Sequence, residues 1–211
     1  MEPVLEQMIR KYPEMEICLP DIGMAVELLH RTYANGGKVL VCGNGGSASD
    51  SEHIVGELMK GFMLRRPVND SVRTRLNEAF PENGNYLADH LQGALPAISL
   101  VSQSALATAF INDVEPDMVF AQQVFGYVNE GDAVIGLSTS GNSKNVLHAL
   151  QVAKAMGAHA IGLTGRSGGL MNGVCDTVIR VPYDSTPDIQ ERHLPVYHAI
   201  CMMLEEAFFT S

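Results

Sequence analysis

The sequence lacks the features that mark several large classes of protein. Its four cysteines form no CxxC pair and no zinc-finger spacing. They lie in apolar runs, so we expect buried free thiols and a reducing, cytoplasmic compartment. The first residues mix charges without an apolar core, which is unlike a signal peptide. No apolar run approaches the ~20 residues of a membrane span, so we expect no membrane partner.

Basic residues are scarce as well. The chain has 14 Lys and Arg against 24 Asp and Glu, for a net charge of −10. Because nucleic-acid binding needs a concentrated basic surface, we expect no nucleic-acid partner. The nearest approach to a basic cluster, Arg65 and Arg66 with Arg73 and Arg75, lies in a polar stretch that predicts a solvated loop. Neither GxxxxGK[ST] nor GxGxxG occurs, so we expect no nucleotide cofactor.

Strand-like and helix-like runs alternate along most of the chain. The strand-like runs are 39–42, 97–101, 133–137, 158–163 and 177–181. The helix-like runs are 3–34 (one or two helices), 49–62, 117–128, 144–156 and 189–208. Parallel strands need crossovers, which are usually helical. The pattern therefore predicts an α/β fold, in which helices cover both faces of a five-stranded parallel sheet. We expect one domain over residues 1–211, with an N-terminal helical segment at 1–35.

One stretch, residues 64–96, breaks this alternation. It is polar and is interrupted by Gly, Pro and Asn, with a short helical tendency only at 85–91. A connection of this length inside a compact domain is either a functional lid or a partly ordered insertion. The sequence leaves both alternatives open.

Two glycine- and hydroxyl-rich loops each follow a strand-like run and precede a helix-like run. The first is CGNGGSAS at 42–49, and the second is LSTSGNSK at 137–144. This order places backbone N–H groups at a helix N-terminus, where the partial positive charge favours an anion such as phosphate. In the first loop Gly43, Gly45 and Gly46 let a ligand approach the backbone closely. Ser47 begins a capping pattern that predicts it as the helix N-cap.

The second loop is the richer of the two in hydroxyl groups. They belong to Ser138, Thr139, Ser140 and Ser143, whereas capping a helix needs only one. The matching design of the two loops predicts that a phosphorylated small molecule binds at the strand ends.

His53 and Glu57 are four positions apart on the helix that follows the first loop. This spacing places them on one face, roughly one turn beyond the anion-binding end. They could form an acid/base pair, contribute two metal ligands, or be an ordinary surface pair. Farther along, His193 and His198 lie about 140° apart around a helix, so we expect at most one of them to serve a site.

Six short motifs of this chain occur in the same order in one known protein family. They are CGNGGS (42–47), H-x₃-E (53–57), Asn112-Asp113, STSGNS (138–143), LTG (163–165) and IQE-x-H (189–193). From about 36 to 206 the chain closely resembles the sugar isomerase (SIS) domain proteins, and among them the phosphoheptose isomerases. The resemblance implies a flavodoxin-like SIS fold, a phosphorylated sugar as substrate, and a homotetramer with active sites where subunits meet.

The resemblance also implies roles for particular residues. It places sugar phosphate at both loops, against Asn44, Gly45, Ser47, Ser138, Thr139, Ser140, Ser143 and Gln190, with Asp113 near the substrate. It implies Glu57 and His198 as the acid/base pair of an enediol isomerisation. Members with zinc would bind it through residues that match His53, Glu57, Gln190 and His198. If residues 190–198 are all helical, however, Gln190 and His198 lie about 12 Å apart along the axis, and a neighbouring subunit must then supply one of them.

Two features depart from the family pattern. The 64–96 stretch is longer than the corresponding connection, and Pro187 stands where some members carry an aspartate. Three functions follow as alternatives. The leading one is isomerisation of sedoheptulose 7-phosphate to D-glycero-D-manno-heptose 7-phosphate, and the others are isomerisation of another sugar phosphate and non-catalytic sugar-phosphate binding in a regulatory protein. Glu57 favours an enzyme, because the regulatory relatives lack a glutamate there.

Overall fold

The computed structural model describes residues 2–210. The helices are α1 (Glu2–Lys11), α2 (Leu19–Ala34), α3 (Gly46–Met59), α4 (Asp70–Ala79), α5 (Gly84–His90), α6 (Ser104–Asp113), α7 (Val119–Tyr127), α8 (Lys144–Ala155) and α9 (Thr186–Phe209). The strands are β1 (Val39–Gly43), β2 (Ala97–Ser99), β3 (Ala133–Leu137), β4 (His159–Thr164) and β5 (Thr177–Arg180). Short 3₁₀ turns at Pro13–Cys18, Pro116–Met118 and Gly169–Gly173 complete the described elements.

The five strands form one parallel sheet in the order β2-β1-β3-β4-β5. This confirms the predicted α/β fold with a five-stranded parallel sheet. The order reverses between β1 and β3, which are direct neighbours in register from Val39↔Ala133 to Gly43↔Leu137. Crossovers leave these two strands in opposite directions, so their carboxyl ends border a crevice. Both predicted phosphate loops begin there.

Helices cover both faces of the sheet, as a three-layer arrangement requires. Each face of the sheet has its own hydrophobic core, and alternate residues of β1 point to opposite faces. Val39 and Val41 pack with α1, α2 and α9 on one face, whereas Leu40 and Cys42 pack with α7 and α8 on the other. The strand residues of β1 and β3 are all buried. Burial on both faces is what produces the nearly continuous apolar runs in the sequence.

The predicted buried thiols are confirmed. All four cysteines are free, and Cys18, Cys42 and Cys201 are buried while Cys175 is partly buried. Burial raises the pKa of Cys42 and of Cys201 to about 12 in each case. Thiols with such pKa values remain protonated and unreactive at neutral pH.

The 64–96 stretch contains two ordered helices, α4 and α5, which pack against each other as a hairpin. Its basic residues were predicted to be solvated, and for Arg66 this is wrong. Arg66 is 1% exposed, and its Nε donates to Glu205 Oε1 at 2.7 Å. Glu205 also accepts from the backbone N–H groups of Phe62, Met63 and Leu64. The physical reason is that the buried Glu205 carboxylate, on α9, accepts hydrogen bonds from the backbone at the base of the hairpin and from Arg66. Arg66 is therefore buried beside it.

Among residues 2–210, no helix is both long enough and apolar enough to cross a membrane.

Candidate active site

The second loop leaves β3 at the switch point and leads into α8. Ser138 Oγ and Ser143 Oγ are hydrogen-bonded at 2.9 Å, and Asn142 N donates to Ser140 Oγ. Ser143 is the N-cap residue of α8 but makes no side-chain capping bond there. The side chain of Ser143 therefore leaves the first N–H groups of α8 free for an anion, except that of Val146, which donates to Asn145 Oδ1 at 3.0 Å.

The first loop leaves β1 beside it and leads into α3. The structure corrects one prediction here: the N-cap of α3 is Gly45, at φ +56°, and Ser47 lies inside the first turn. Ser47 is 2% exposed, and its carbonyl accepts from Ser51 Oγ at 2.8 Å. A left-handed conformation is easily adopted only by glycine, which is why Gly45, rather than Ser47, begins the helix. No side-chain cap competes with a ligand there either.

A reciprocal amide pair joins the two loops. Asn44 Nδ2 donates to Asn145 Oδ1, and Asn145 Nδ2 donates to Asn44 Oδ1, each at 2.9 Å. Asn145 was not singled out in the sequence, since a polar residue in the first turn of a helix is common. The structure identifies it as the residue that ties the second loop to Asn44 of the first.

A second cluster lies farther along α3, where α9 crosses it. His53 Nε2 is 3.2 Å from Glu57 Oε1 and 3.4 Å from His198 Nε2. The Glu57 side chain is 12% exposed, and Lys60 Nζ lies 3.4 Å from its Oε2. Phe62 packs its ring 5.2 Å from that of His198. The cluster thus combines a mostly buried carboxylate with two imidazoles that touch each other.

His198 is partly buried in this cluster. Burial is the main effect that lowers its pKa, His53 lowers the pKa further, and Glu57 opposes the change. A neutral imidazole has one donor and one acceptor nitrogen, so it can either give or take a proton. The chemistry available here is proton transfer between a carboxylate and an imidazole.

The two clusters are farther apart in one chain than the sequence predicted. Because α3 begins at Gly46, the backbone of His53 lies about two turns along it and that of Glu57 about three turns, a rise along the axis of roughly 16 Å from the loop end in the latter case. The predicted separation of one turn assumed a later helix start. In an extended zigzag chain, the bonds of ~1.5 Å that lead from phosphorus to the C2 carbonyl of a seven-carbon sugar phosphate span only roughly 9 Å.

Gln190 lies beside the first loop, at the N-terminal end of α3. A methyl group at Gly46 would lie 2.6 Å from Gln190 Nε2, so the amide packs directly on the start of α3. Since α9 begins at Thr186, Gln190 and His198 lie on one continuous helix, about 12 Å apart along its axis. The contacts Gly46–Gln190 and His53–His198 agree with that separation.

This placement bears on the expected zinc set of His53, Glu57, Gln190 and His198. Within residues 2–210, no group of three or more His, Cys, Asp or Glu side chains is arranged to hold a metal ion. Gln190 is too far along α9 to join His198 on one ion. The four residues of one chain therefore do not fit a zinc site.

Two further candidates lie elsewhere. Asp113 ends α6, and its carboxylate accepts from the neighbouring Asn112 at 2.7 Å. Helix α6 makes its main contacts with α7 and the adjacent 3₁₀ turn rather than with α3, α8 or α9. His193 is fully buried, unlike His198. The two histidines of α9 thus occupy different environments, as their angular separation predicted.

Comparisons with known proteins place the chain in a family. A family model described as SIS domain matches residues 15–78 and 75–165. A phosphoheptose isomerase of Geotalea daltonii is 39% identical over 190 residues, which cover 90% of this chain and 85% of that protein. One of Rhodospirillum rubrum is 38% identical, over 90% and 87% of the two chains.

Solved structures agree with this result. A phosphoheptose isomerase from Francisella tularensis matches with a TM-score of 0.76 and 30% identity, over 97% of this chain and 96% of that one. One from Neisseria gonorrhoeae matches with a TM-score of 0.73 and 32% identity, over 95% and 94%. The chain therefore belongs to the SIS domain family and, within it, to the phosphoheptose isomerase enzymes.

Proposed function

We propose that this protein interconverts sedoheptulose 7-phosphate and D-glycero-D-manno-heptose 7-phosphate through an enediol. The observation that carries the proposal is the contact between Glu57, His53 and His198 in a chain that also carries two glycine-rich loops at the carboxyl edge of its sheet, neither with a side-chain cap from its N-cap residue. Family membership supports the coarser function, a sugar-phosphate isomerase.

The loops supply the binding half of the reaction. The phosphate lies against the helix ends that follow Gly45 and Ser143, with hydroxyls of Ser138, Thr139 and Ser140 around it. Asn44, Ser47 and Gln190 lie where they can contact the sugar. Binding energy from this non-reacting end fixes the carbonyl end in place and so lowers the barrier to proton transfer.

Glu57 and His198 supply the chemical half. One removes the proton from C1, beside the C2 carbonyl, to form the enediol, and the other moves the proton between the two oxygens. Return of the carbon proton to C2 gives the aldose. General acid–base catalysis of this kind contributes typically ~10²–10⁴ in rate. Either residue can take the first proton, and no step here passes through zinc.

We further propose that each active site combines two copies of the chain, within a homotetramer. The support is the separation along α3, where roughly 16 Å divides Glu57 from the loops of its own chain, which is more than the substrate spans. A second copy that places its Glu57 cluster opposite these loops resolves the mismatch. Asp113 would reach the substrate in the same way. Buried free thiols suit the reducing cytoplasm as its compartment.

The test of the reaction is turnover of a panel of ketose phosphates by the wild type and by Glu57→Gln. We expect sedoheptulose 7-phosphate to be converted, and Glu57→Gln to lower kcat by at least about 10²-fold with phosphate-sugar binding retained. The matched control is Glu52→Gln on the same helix, whose exposed carboxylate accepts from Ser102 Oγ. Binding of sugar phosphates without any turnover would instead support the regulatory function, and turnover of a different sugar alone would change the substrate.

The test of the shared site is complementation between two inactive variants. Ser143→Asp puts a residue type that is favoured at N-cap positions at the start of α8 but adds a negative charge at the phosphate position. Co-assembled with Glu57→Gln at equal amounts, it should restore about a quarter of wild-type activity, because half of the subunit pairs then contain one intact composite site. No recovery in mixed oligomers would mean that each chain carries a complete site.

A further inference from the structure

Arg66 and Glu205 form a buried ion pair at the point where α3 ends. Their side chains are 0% and 1% exposed, and Arg66 Nε donates to Glu205 Oε1 at 2.7 Å. The guanidinium also binds the end of the helix. Its Nη1 donates to the carbonyl oxygen of Leu58 at 2.8 Å, and its Nη2 donates to that of Glu57 at 3.1 Å. One buried side chain is therefore bonded directly to the backbone of Glu57.

The ion pair replaces the hydrogen bonds that a longer helix would make. The last carbonyl groups of an α-helix have no N–H partner within it. If α3 continued, the Leu58 carbonyl oxygen would accept from the N–H of Phe62. Arg66 and the N–H of Leu95 donate to it instead, and the N–H of Phe62 donates to Glu205 Oε1 at 2.8 Å. The partial negative charge of the helix end also favours the guanidinium. The pair therefore fixes where α3 ends.

We propose that Arg66 is a positioning residue that, paired with Glu205, holds the backbone of Glu57, and so its carboxylate, in the position that the reaction needs. This inference deepens the proposed function and rests on it for the role of Glu57. The pair also holds the backbone of Phe62, whose ring packs 5.2 Å from that of His198. The ion pair is therefore joined to Glu57 directly and to His198 through Phe62.

The contacts of this side chain require an arginine. The guanidinium is planar and always charged, and its N–H donors point in fixed directions. Three of its nitrogens bind three separate acceptors, namely Glu205 Oε1 and the carbonyl oxygens of Leu58 and Glu57. The ring of Phe209 lies against the guanidinium, with its centroid 4.6 Å from the central carbon. A lysine would keep the charge but carry its donors on one nitrogen, so it cannot span the same three acceptors.

Burial restricts where the ion pair can lie. A buried charge without its partner is strongly unfavourable, so the guanidinium and the carboxylate keep their places together. Burial opposes ionisation of Glu205, but hydrogen bonds from the N–H groups of Phe62 and Met63 and from the guanidinium outweigh it, so the pKa of Glu205 lies below its usual value. Lys60, by contrast, is 60% exposed and lies 3.4 Å from Glu57 Oε2, a contact that solvent weakens. The buried pair, rather than Lys60, is placed to fix Glu57.

The experiment separates positioning from stability with two variants that leave no unpaired buried charge. Arg66→Lys keeps the positive charge but loses the planar set of donors. Arg66→Met combined with Glu205→Gln removes both charges, and the glutamine oxygen can still accept from backbone N–H groups. We expect each to lower kcat about tenfold or more with KM changed less than about threefold, because a displaced carboxylate reacts slowly although the phosphate still binds.

The matched control is a core variant that loses stability alone. Ile22 is fully buried in α2, which packs on β5. Ile22→Ala leaves a cavity and should lower the urea midpoint of unfolding while kcat of the folded protein stays unchanged. A kcat that follows the urea midpoint through all the variants would overturn the proposal. Wild-type kcat in both Arg66 variants, or a loss confined to KM, would overturn it as well.

Hydrogen exchange gives a second readout that needs no substrate. Followed by mass spectrometry at neutral pH, the amides of residues 57–64 should exchange about tenfold or more faster in Arg66→Lys than in the wild type, because the end of α3 opens locally. The amides of α7, on the other face of the sheet, should exchange as in the wild type. Unchanged exchange at 57–64 would overturn the proposal.

The two readouts keep this inference distinct from the proposed function. If the wild type converts no sugar phosphate, the proposed function fails, yet exchange at 57–64 still decides whether Arg66 holds the end of α3. If the double variant does not fold, Arg66→Lys gives the decision by both measurements.

Discussion

Asn44 and Asn145 exchange two amide hydrogen bonds of 2.9 Å and so hold the loop after β1 against the loop after β3. The two residues are 101 positions apart in the chain, and each follows a strand end at the point where the sheet order reverses. The pair therefore links the two sides of the crevice in which the phosphate is proposed to bind.

Replacing one member of this pair should weaken substrate binding more than catalysis. Asn145→Asp removes the amide that donates to Asn44 and adds a negative charge at the N-terminal turn of α8, where phosphate would lie. We expect KM to rise about tenfold or more while kcat changes less, measured by steady-state kinetics. Asn85→Asp on α5 adds the same charge away from the loops and should leave KM unchanged. An unaltered KM in Asn145→Asp would mean that the phosphate binds elsewhere.

A substitution at Gly141 tests whether phosphate binding depends on the conformation of the second loop. Its φ is +66°, and a Cβ there would collide with the Gly168 carbonyl oxygen. Gly141→Ala should therefore cost ~1–2 kcal/mol of backbone strain, displace the loop, and weaken binding of inorganic phosphate in calorimetry. Gly126 in α7 has no atom within 4 Å of a built Cβ, so Gly126→Ala should leave phosphate binding intact and stabilise the fold slightly. Equal phosphate affinity in both variants would contradict this account of the loop.

The buried Arg66–Glu205 pair should dominate the stability of the hairpin base. Arg66→Met leaves the Glu205 carboxylate buried without its cation, so the free energy of unfolding should fall by about 3–5 kcal/mol in urea denaturation. Arg73→Met removes a solvent-exposed partner of Asp89, and its cost should stay within about 1 kcal/mol. Similar losses for the two variants would show that the buried pair contributes no more than a surface pair.

His193 should make the protein less stable in mild acid. Burial lowers the pKa of His193 to about 4, with a small opposing effect of the Thr164 backbone, whereas the unfolded chain has a value near ~6.5. Between these values the unfolded state binds the additional proton, so stability rises with pH and is lost as pH falls from about 6.5 toward 4. The loss should reach the order of 3 kcal/mol.

The comparison is with His193→Leu, which has no proton to bind at this position. Its free energy of unfolding, followed by denaturant titration at several pH values, should decline less than that of the wild type over the same interval. Parallel curves for the two proteins would mean that His193 does not titrate in the expected range.

The elements that the sequence predicted are those with a buried face. The five strands are enclosed on both sides, and helices such as α2 and α8 carry apolar residues at helical spacing. The 10-residue helices α4 and α6 were not predicted. Helix α4 is mostly polar, the apolar residues of α6 follow one another almost without a break, and neither helix contains a buried residue. Pattern analysis detects a helix through apolar residues that recur on one face, and neither helix shows such a face clearly.

The candidate site also has contacts that the sequence predicted and contacts that it missed. His53 and Glu57 are four apart on one helix, so their contact follows from local geometry. The roles of Asn145 and Arg66 were missed. The contacts of Asn145 with Asn44 and of Arg66 with Glu205 join segments more than 100 residues apart, and local spacing carries no signal for them.

By itself, the sequence determined the parallel sheet, the two loops at its edge and the sharing of one helix face by His53 and Glu57, because each depends on local periodicity or on chain order. Only the tertiary structure decided that Arg66 is buried against Glu205 and donates to the carbonyl oxygen of Glu57, and that α3 begins at Gly46 and so separates Glu57 from the loops. These outcomes depend on how α3 and α9 pack across the sheet, and packing between distant segments is set by the whole core rather than by any short stretch of residues.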